Sequence, residues 1–209
     1  MERRALNAIG SGPRVWTAIV PLKAEGQRKT RLADRLPATE RSRLSWRLFE
    51  HVAGVLEGAA MIAQVRVLSE HPPAGWRGGW AADHGRGLNQ ELAVARTAIG
   101  PAPLLIIHAD LPLLASDDVG VLLEAAQRSG LALAPDRHGT GTNALAIHDA
   151  RPFAFSFGPD SFRRHRTHGE AAIVERPGLA LDVDTSDDLD AAIAAGFAPR
   201  YAHEGELSG

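Results

Sequence analysis

Short aliphatic runs alternate along the chain with longer stretches whose apolar residues recur every three or four positions. Residues 15–20, 65–68, 104–107, 131–134 and 144–147 are such runs, and each predicts a buried strand. Residues 173–174 and 179–183 predict two more. Leu44, Leu48, Val52, Val55 and Leu56 lie at helical spacing, and 88–99 reads as a second helix, entered through Gly85-Arg86-Gly87. Thr39, Ser116 and Ser186 each stand where an N-cap is needed, and Glu40, Asp117 and Asp118 lie in first turns, where acidic residues favour a helix. The helix opened by Ser186 runs to about Ala195, and 155–165 reads as a glycine-containing turn entering a helix. Pro72, Pro73, Gly75, Gly78 and Gly79 make 71–84 a loop or a short strand.

Strands alternating with helices predict one α/β domain: a mostly parallel sheet of Rossmann type with helices on both faces. Residues 1–13 are read as a flexible leader, 14–198 as the domain and 199–209 as a tail. In such sheets ligands sit beyond the carboxyl ends of the strands. That rule singles out residues 21–31, 69–87, Asp110, 135–143 and 182–185.

Composition narrows the chemistry. The 209 residues carry 23 Lys plus Arg against 25 Asp plus Glu, a net charge of −2, so no global field favours nucleic acid or an anionic membrane. There is no cysteine, which excludes disulfides, zinc-thiolate sites and thiol catalysis. No apolar run approaches the ~20 residues of a membrane span. A cytoplasmic enzyme or binding protein is the expectation.

Four constellations carry candidate chemistry. Lys23, Arg28, Lys29 and Arg31 follow the first strand and can hold a polyphosphate, or form a solvated basic turn. The Gly-Lys-Ser/Thr signature of a Walker loop is absent there. Asp110 follows the strand 104–107, and Asp182 and Asp184 share one side of a strand by alternation. Together they suit magnesium, which takes a few carboxylates and completes its shell with water and phosphate; the competing roles are helix caps and ion pairs. Gly139-Thr140-Gly141-Thr142-Asn143 offers backbone approach and hydroxyl donors, or a tight hairpin turn. Gly158 and Ser161 precede a helix whose first amides suit a phosphate, with Ser161 otherwise an ordinary N-cap. Arg163, Arg164 and His165 follow, and His165 is compatible with either role. Two anion sites and a metal in one cleft are the equipment for moving a nucleotidyl group.

The motifs Pro21-Leu22-Lys23, Lys29-Thr30-Arg31-Leu32, Gly87-Leu88-Asn89, Ala109-Asp110-Leu111-Pro112, Pro135-Asp136-Arg137 with Gly139-Thr140-Gly141-Thr142-Asn143, Phe157-Gly158 with Ser161-Phe162 and His165, and Leu181-Asp182-Val183-Asp184-Thr185 occur in this order. Taken together, from about Val15 to Ala195, they resemble the CofC/FbiD-type guanylyltransferases of coenzyme F-420 biosynthesis. The resemblance implies a nucleotide-diphospho-sugar-transferase-like fold, related to the molybdenum-cofactor (MobA-like) guanylyltransferases. It implies that GTP and 2-phospho-L-lactate, phosphoenolpyruvate or 3-phospho-D-glycerate give a guanylylated acid and pyrophosphate.

Carried over by position, Asp110, Asp182 and Asp184 are the implied Mg2+ ligands, and Thr142, Gly158 and Ser161 hold the acid. Lys23, Lys29 and Arg31, with Asp110, are the implied catalytic residues, and Gly87, Leu88 and Asn89 lie near the nucleotide. The implied partners are GTP and the small acid, with no nucleic acid and no membrane. A homodimer, and hand-over of an unstable product to the next enzyme, are compatible with the resemblance. Relatives usually carry an Asp shortly after the position of Ser69, whereas this chain has Glu70-His71-Pro72-Pro73. Three other readings compete: a transferase acting on a molybdopterin or sugar phosphate, a non-catalytic nucleotide-binding module, and a haloacid-dehalogenase-type phosphatase using Asp182-Val183-Asp184-Thr185. The phosphatase motif normally opens its fold, whereas here it lies near the end of the chain.

Overall fold

The computed structural model describes residues 15–23 and 29–199. The leader 1–13, Arg28 and nearly all of the tail lie outside the described residues. Among the described residues seven strands form one sheet: β1 (Trp16–Pro21), β2 (Ile62–Ser69), β3 (Gly79–Ala82), β4 (Leu104–Ile107), β5 (Leu131–Pro135), β6 (Thr142–Ile147) and β7 (Ala172–Ile173). Their order is β3-β2-β1-β4-β6-β5-β7. β1 runs parallel to β2 and β4, β2 to β3, and β5 to β7, while β6 is antiparallel to both β4 and β5. The chain builds outward from β1 to β3 and then returns to place β4 on β1's other side. The β1/β4 boundary is therefore the switch point at which α/β sheets open a crevice.

Among the described residues there are six α-helices: α1 (Ala38–Gly58), α2 (Leu88–Ile99), α3 (Ser116–Ser129), α4 (Ser161–His165), α5 (Pro177–Ala180) and α6 (Ser186–Ala194). Strand alternation sends Trp16, Ala18 and Val20 of β1 toward Phe49, Val52 and Leu56 of α1 and Leu122 of α3. Ile19 of β1 and Ile106 of β4 face Leu92 of α2 and Phe155 and Phe157. The sheet is thus covered on both faces, as expected. All four residues of β4 are fully buried, which explains its unbroken aliphatic run.

A third cluster joins Leu32, Leu44, Leu48, Leu181, Val183 and Leu189. Each of these large side chains stabilises by roughly 1.5–3 kcal/mol when fully buried. The cluster ties the short 3-10 turn Thr30–Leu32 to the segment carrying Asp182 and Asp184. Among the described residues no helix is long and apolar enough to cross a membrane.

Several local expectations are corrected. Residues 179–183 form no strand: Pro177 opens α5, a position that suits its fixed φ, and the chain continues extended but outside the sheet. Asp182 and Asp184 still alternate with buried Leu181 and Val183, because extended backbone alternates with or without a ladder. The caps fall one or two residues earlier than expected. Pro37 is the N-cap of α1, with Thr39 inside the first turn. Ala115 caps α3, and the Asp118 carboxylate accepts its amide at 3.0 Å. Thr185 caps α6 through a capping box with Asp188. Asp160, in the left-handed region at φ 53°, precedes Ser161, which is the first residue of α4 and not its cap.

Candidate active site

The carboxyl ends of β1 and β4 bring the first two constellations together. Lys29, in left-handed conformation at φ 51°, turns its ammonium into the crevice. There it pairs with Asp110 Oδ2 and lies 3.4 Å from Asp184 Oδ1. Burial alone pulls the Lys29 pKa down, but Asp110 and Asp184 outweigh it and the net shift is upward. For Asp110, burial pushes upward and Lys29 with His108 more than reverses it, holding the carboxyl below its ordinary value. Asp182 is shifted the other way, raised by burial and by the charge of Asp110.

Asp110 Oδ1 is buried and has no hydrogen-bond partner among the described residues. A carboxylate of Asp182 and a ring nitrogen of His108 lie with Asp110 so that one ligand atom from each falls within 4.8 Å of the others. An orphaned buried oxygen, a second carboxylate that resists ionising and a nearby imidazole fit a divalent cation. The sequence pattern does not single out His108; its place, directly after β4 and two residues before Asp110, is the available signal. Asp184 is not in that trio; its partner is Lys29.

Asn143 locks the acidic segment to the sheet. Its fully buried amide donates to Leu179 O and Ala180 O at 3.0 Å and to Asp182 Oδ1 at 3.2 Å. Val183 N donates to Asp110 O at 3.1 Å, and His108 N to Asn143 O at 2.9 Å. Behind Asp184, the Asp188 carboxylate accepts Asp184 N and Thr185 N and pairs with Arg137 at 2.6 Å. Asn143, Asp188 and Arg137 thus hold the acidic residues in place, roles that their positions in motifs did not disclose.

The third and fourth constellations meet on the other side of Asn143. Asp136 accepts the amides of His138, Thr140 and Gly141, which shapes the hairpin between β5 and β6. Thr142, beginning β6, is 1% exposed and Ser161 2%, and their hydroxyls are 3.4 Å apart. The amides expected to point outward here are engaged: Ser161 N donates to Gly158 O and Phe162 N to Thr140 O. Gly158 is exposed at φ 117°, a conformation that an L side chain rarely adopts.

Asn89 does not offer its side chain to solvent. Its Oδ1 accepts Phe157 N at 2.7 Å and its Nδ2 donates to Phe157 O at 3.0 Å. Gly87, at φ 94°, precedes α2, and Leu88 packs against the core under β4. The turn before them is fastened by Glu91, which accepts His84 N, Arg86 N and the Arg86 guanidinium. The bond from Arg86 brings the Glu91 carboxyl down to about 2. Arg31 is exposed on the 3-10 turn beside Lys29. Lys23 lines a cleft of about 800 Å³ with Arg43, Trp46, Ser69, Glu70 and His71, beyond the ends of β1 and β2.

Solved structures share this fold. A chain from Desulfovibrio desulfuricans assigned to the nucleotide-diphospho-sugar transferases superposes with a TM-score of 0.67 at 18% identity, covering 84% of each chain. The 2-C-methyl-D-erythritol 4-phosphate cytidylyltransferase of Thermus thermophilus superposes at 0.54 with 17% identity, over 87% of this chain and 98% of its own. The fold is that of the nucleotidyltransferases.

Sequence comparison then gives the family. Residues 16–202 match the family described as guanylyl transferase CofC like. The phosphoenolpyruvate guanylyltransferase of Sphaerobacter thermophilus is 37% identical over 90% of this chain and 97% of its own. The chain belongs to the CofC-like guanylyl transferases, and its enzymatic class is nucleotidyltransferase.

Proposed function

We propose that the protein joins GTP to phosphoenolpyruvate, releasing pyrophosphate, as a step toward coenzyme F-420. The observation that carries this reading is the convergence of Lys29, Asp110 and Asp182 at the sheet's switch point, coupled through Asn143 to the strand that begins at Thr142. The name of the 37%-identical relative supports the acid. The cleft beside Lys23 has room for a nucleotide, within the roughly 300–1,000 Å³ of small-molecule sites. Gly87 and Leu88 border the nucleotide on this reading, while Asn89 shapes the neighbouring loop.

A phosphate oxygen of the acid attacks the α-phosphorus of GTP, the new P–O bond forms, and the bond to the bridging oxygen breaks with release of pyrophosphate. No general base is needed, since a phosphate monoester has its second pKa at about 6. Asp110 and Asp182, with the His108 imidazole beside them, are the residues to hold Mg2+, which when bound neutralises phosphate charge. Lys29, kept cationic by its carboxylates, with Lys23 and Arg31, faces the triphosphate. The loop through Gly158 and Ser161, resting on Thr142, holds the acid. Catalysis on this account is positioning and charge neutralisation.

Parallel assays with phosphoenolpyruvate, 2-phospho-L-lactate and 3-phospho-D-glycerate, each product identified by mass, test the acceptor. The highest kcat/KM is expected with phosphoenolpyruvate; a higher value with either other acid refutes that assignment.

A further inference from the structure

His165 is fully buried, and both of its ring nitrogens are engaged. Ser156 N lies 2.9 Å from Nε2, and Thr142 Oγ1 lies 3.0 Å from Nδ1. A backbone amide can only donate, so Nε2 must present its lone pair. The neutral ring therefore carries its proton on Nδ1 and donates it to Thr142 Oγ1. The same oxygen accepts from Ser161 Oγ at 3.4 Å, so Thr142's own proton has no receiver within the trio. The ring is boxed in by Phe157, edge-on at 4.8 Å, and by Phe153 at 5.7 Å.

One imidazole thus holds the start of a loop directly, at Ser156, and its end through the Thr142 hydroxyl that Ser161 also meets. Ser156 starts it, Ser161 ends it, and Gly158 lies between. We propose that His165 is a positioning residue: as the Nδ1–H tautomer it staples the loop from Ser156 to Ser161 onto Thr142 and so sets the shape of the acid subsite. This rests on the reading that the loop holds the acid. The ring's surroundings agree with a neutral staple. Burial, then His168, Arg164 and His108, lower its pKa from 6.5 to about 4.

His165→Asn can keep a donor near Nδ1, and His165→Gln an acceptor near Nε2, so each variant leaves one end of the staple. Both are expected to raise the KM for phosphoenolpyruvate by about tenfold or more, the equivalent of losing one bond of about 1.4 kcal/mol. The KM for GTP should stay within about twofold. Circular dichroism and melting curves confirm that the variants fold.

Nitrogen-15 NMR of imidazole-labelled wild type reads the tautomer without any substrate: Nδ1 protonated and Nε2 bare are expected at pH 7. A ring protonated at Nε2, or folded variants with unchanged acid KM, overturns the proposal. A wild-type protein that shows no dependence on the acid overturns the proposed reaction instead, and the two failures are distinguishable because the second appears without any substitution.

Discussion

Asn89 grips the backbone of Phe157 on both sides, its Oδ1 accepting from the N–H at 2.7 Å and its Nδ2 donating to the C=O at 3.0 Å. A residue at the start of α2 thereby fixes a loop 68 positions away, immediately before Gly158. Asn89→Ala removes both bonds and should cost about 1–3 kcal/mol of stability. Asn89→Asp keeps the acceptor but sets a carboxylate oxygen against Phe157 O. It should be at least as unstable, with acid KM raised and GTP KM less affected. Urea midpoints and both KM values on the two variants check this; an elevated GTP KM alone would return Asn89 to the nucleotide.

Asp110→Asn and Asp182→Asn should each lower kcat/KM by roughly two orders of magnitude or more while the fold persists, given near-isosteric side chains and several kcal/mol of charge stabilisation. Calorimetry should show Mg2+ or Mn2+ binding weakened in both. His108→Ala should weaken Mn2+ more than Mg2+, since imidazole suits transition metals better. Wild-type metal affinity in both Asp variants would remove these carboxylates from the site.

Lys29→Met leaves Asp110 and Asp184 without their shared cation. A loss of a few kcal/mol is expected, toward the low end because Asp184 is half exposed. Millimolar Mg2+ should restore part of the melting temperature, because a dication can neutralise the same carboxylates. Equal melting temperatures for wild type and variant in chelator would contradict the ion-pair geometry.

The pKa of His165 links stability to acidity. Unfolded, the ring takes a proton near pH 6.5; folded, not until about pH 4. Between those values the unfolded state binds the extra proton, so stability falls as pH drops below 6.5 and is unaffected by this residue above it. At about 1.4 kcal/mol per unit, the loss reaches roughly 2 kcal/mol by pH 5. Urea midpoints of wild type and His165→Gln at pH 7.5 and 5 should show a smaller pH difference in the variant; parallel slopes would contradict the shift.

Much of this architecture is written in short-range pattern. Residues 104–107 and 88–99 fall where their apolar spacing places them, because a fully buried strand and an amphipathic helix each leave a periodic mark. Residues 179–183 mislead because their apolar spacing matches a strand's, whereas Pro177 opens a helical turn that takes in Leu179 and Ala180. Ser116 and Ser186 attract a capping assignment by residue type, yet the carboxylates two residues beyond each, Asp118 and Asp188, fasten the helix starts.

Asp110 and Asp182 are legible as candidate site residues because each stands just after a buried segment. Lys29's pairing with Asp110 spans 81 residues, and the hydrophobic cluster that holds Leu32 together with Leu181 and Val183 is a long-range arrangement that no local pattern encodes. Asn143 is visible in the sequence only as a motif letter and His165 only as one of the residues following Ser161; what they hold depends on partners in other elements.

The most direct test is pyrophosphate release by the purified protein with Mg2+, comparing GTP plus phosphoenolpyruvate with each substrate alone and with ATP, CTP or UTP in place of GTP. Release that needs both substrates, prefers GTP, and accompanies a product with the mass of guanylylated phosphoenolpyruvate is the predicted result. Release that is independent of the acid, or equal with ATP and GTP, would contradict the account.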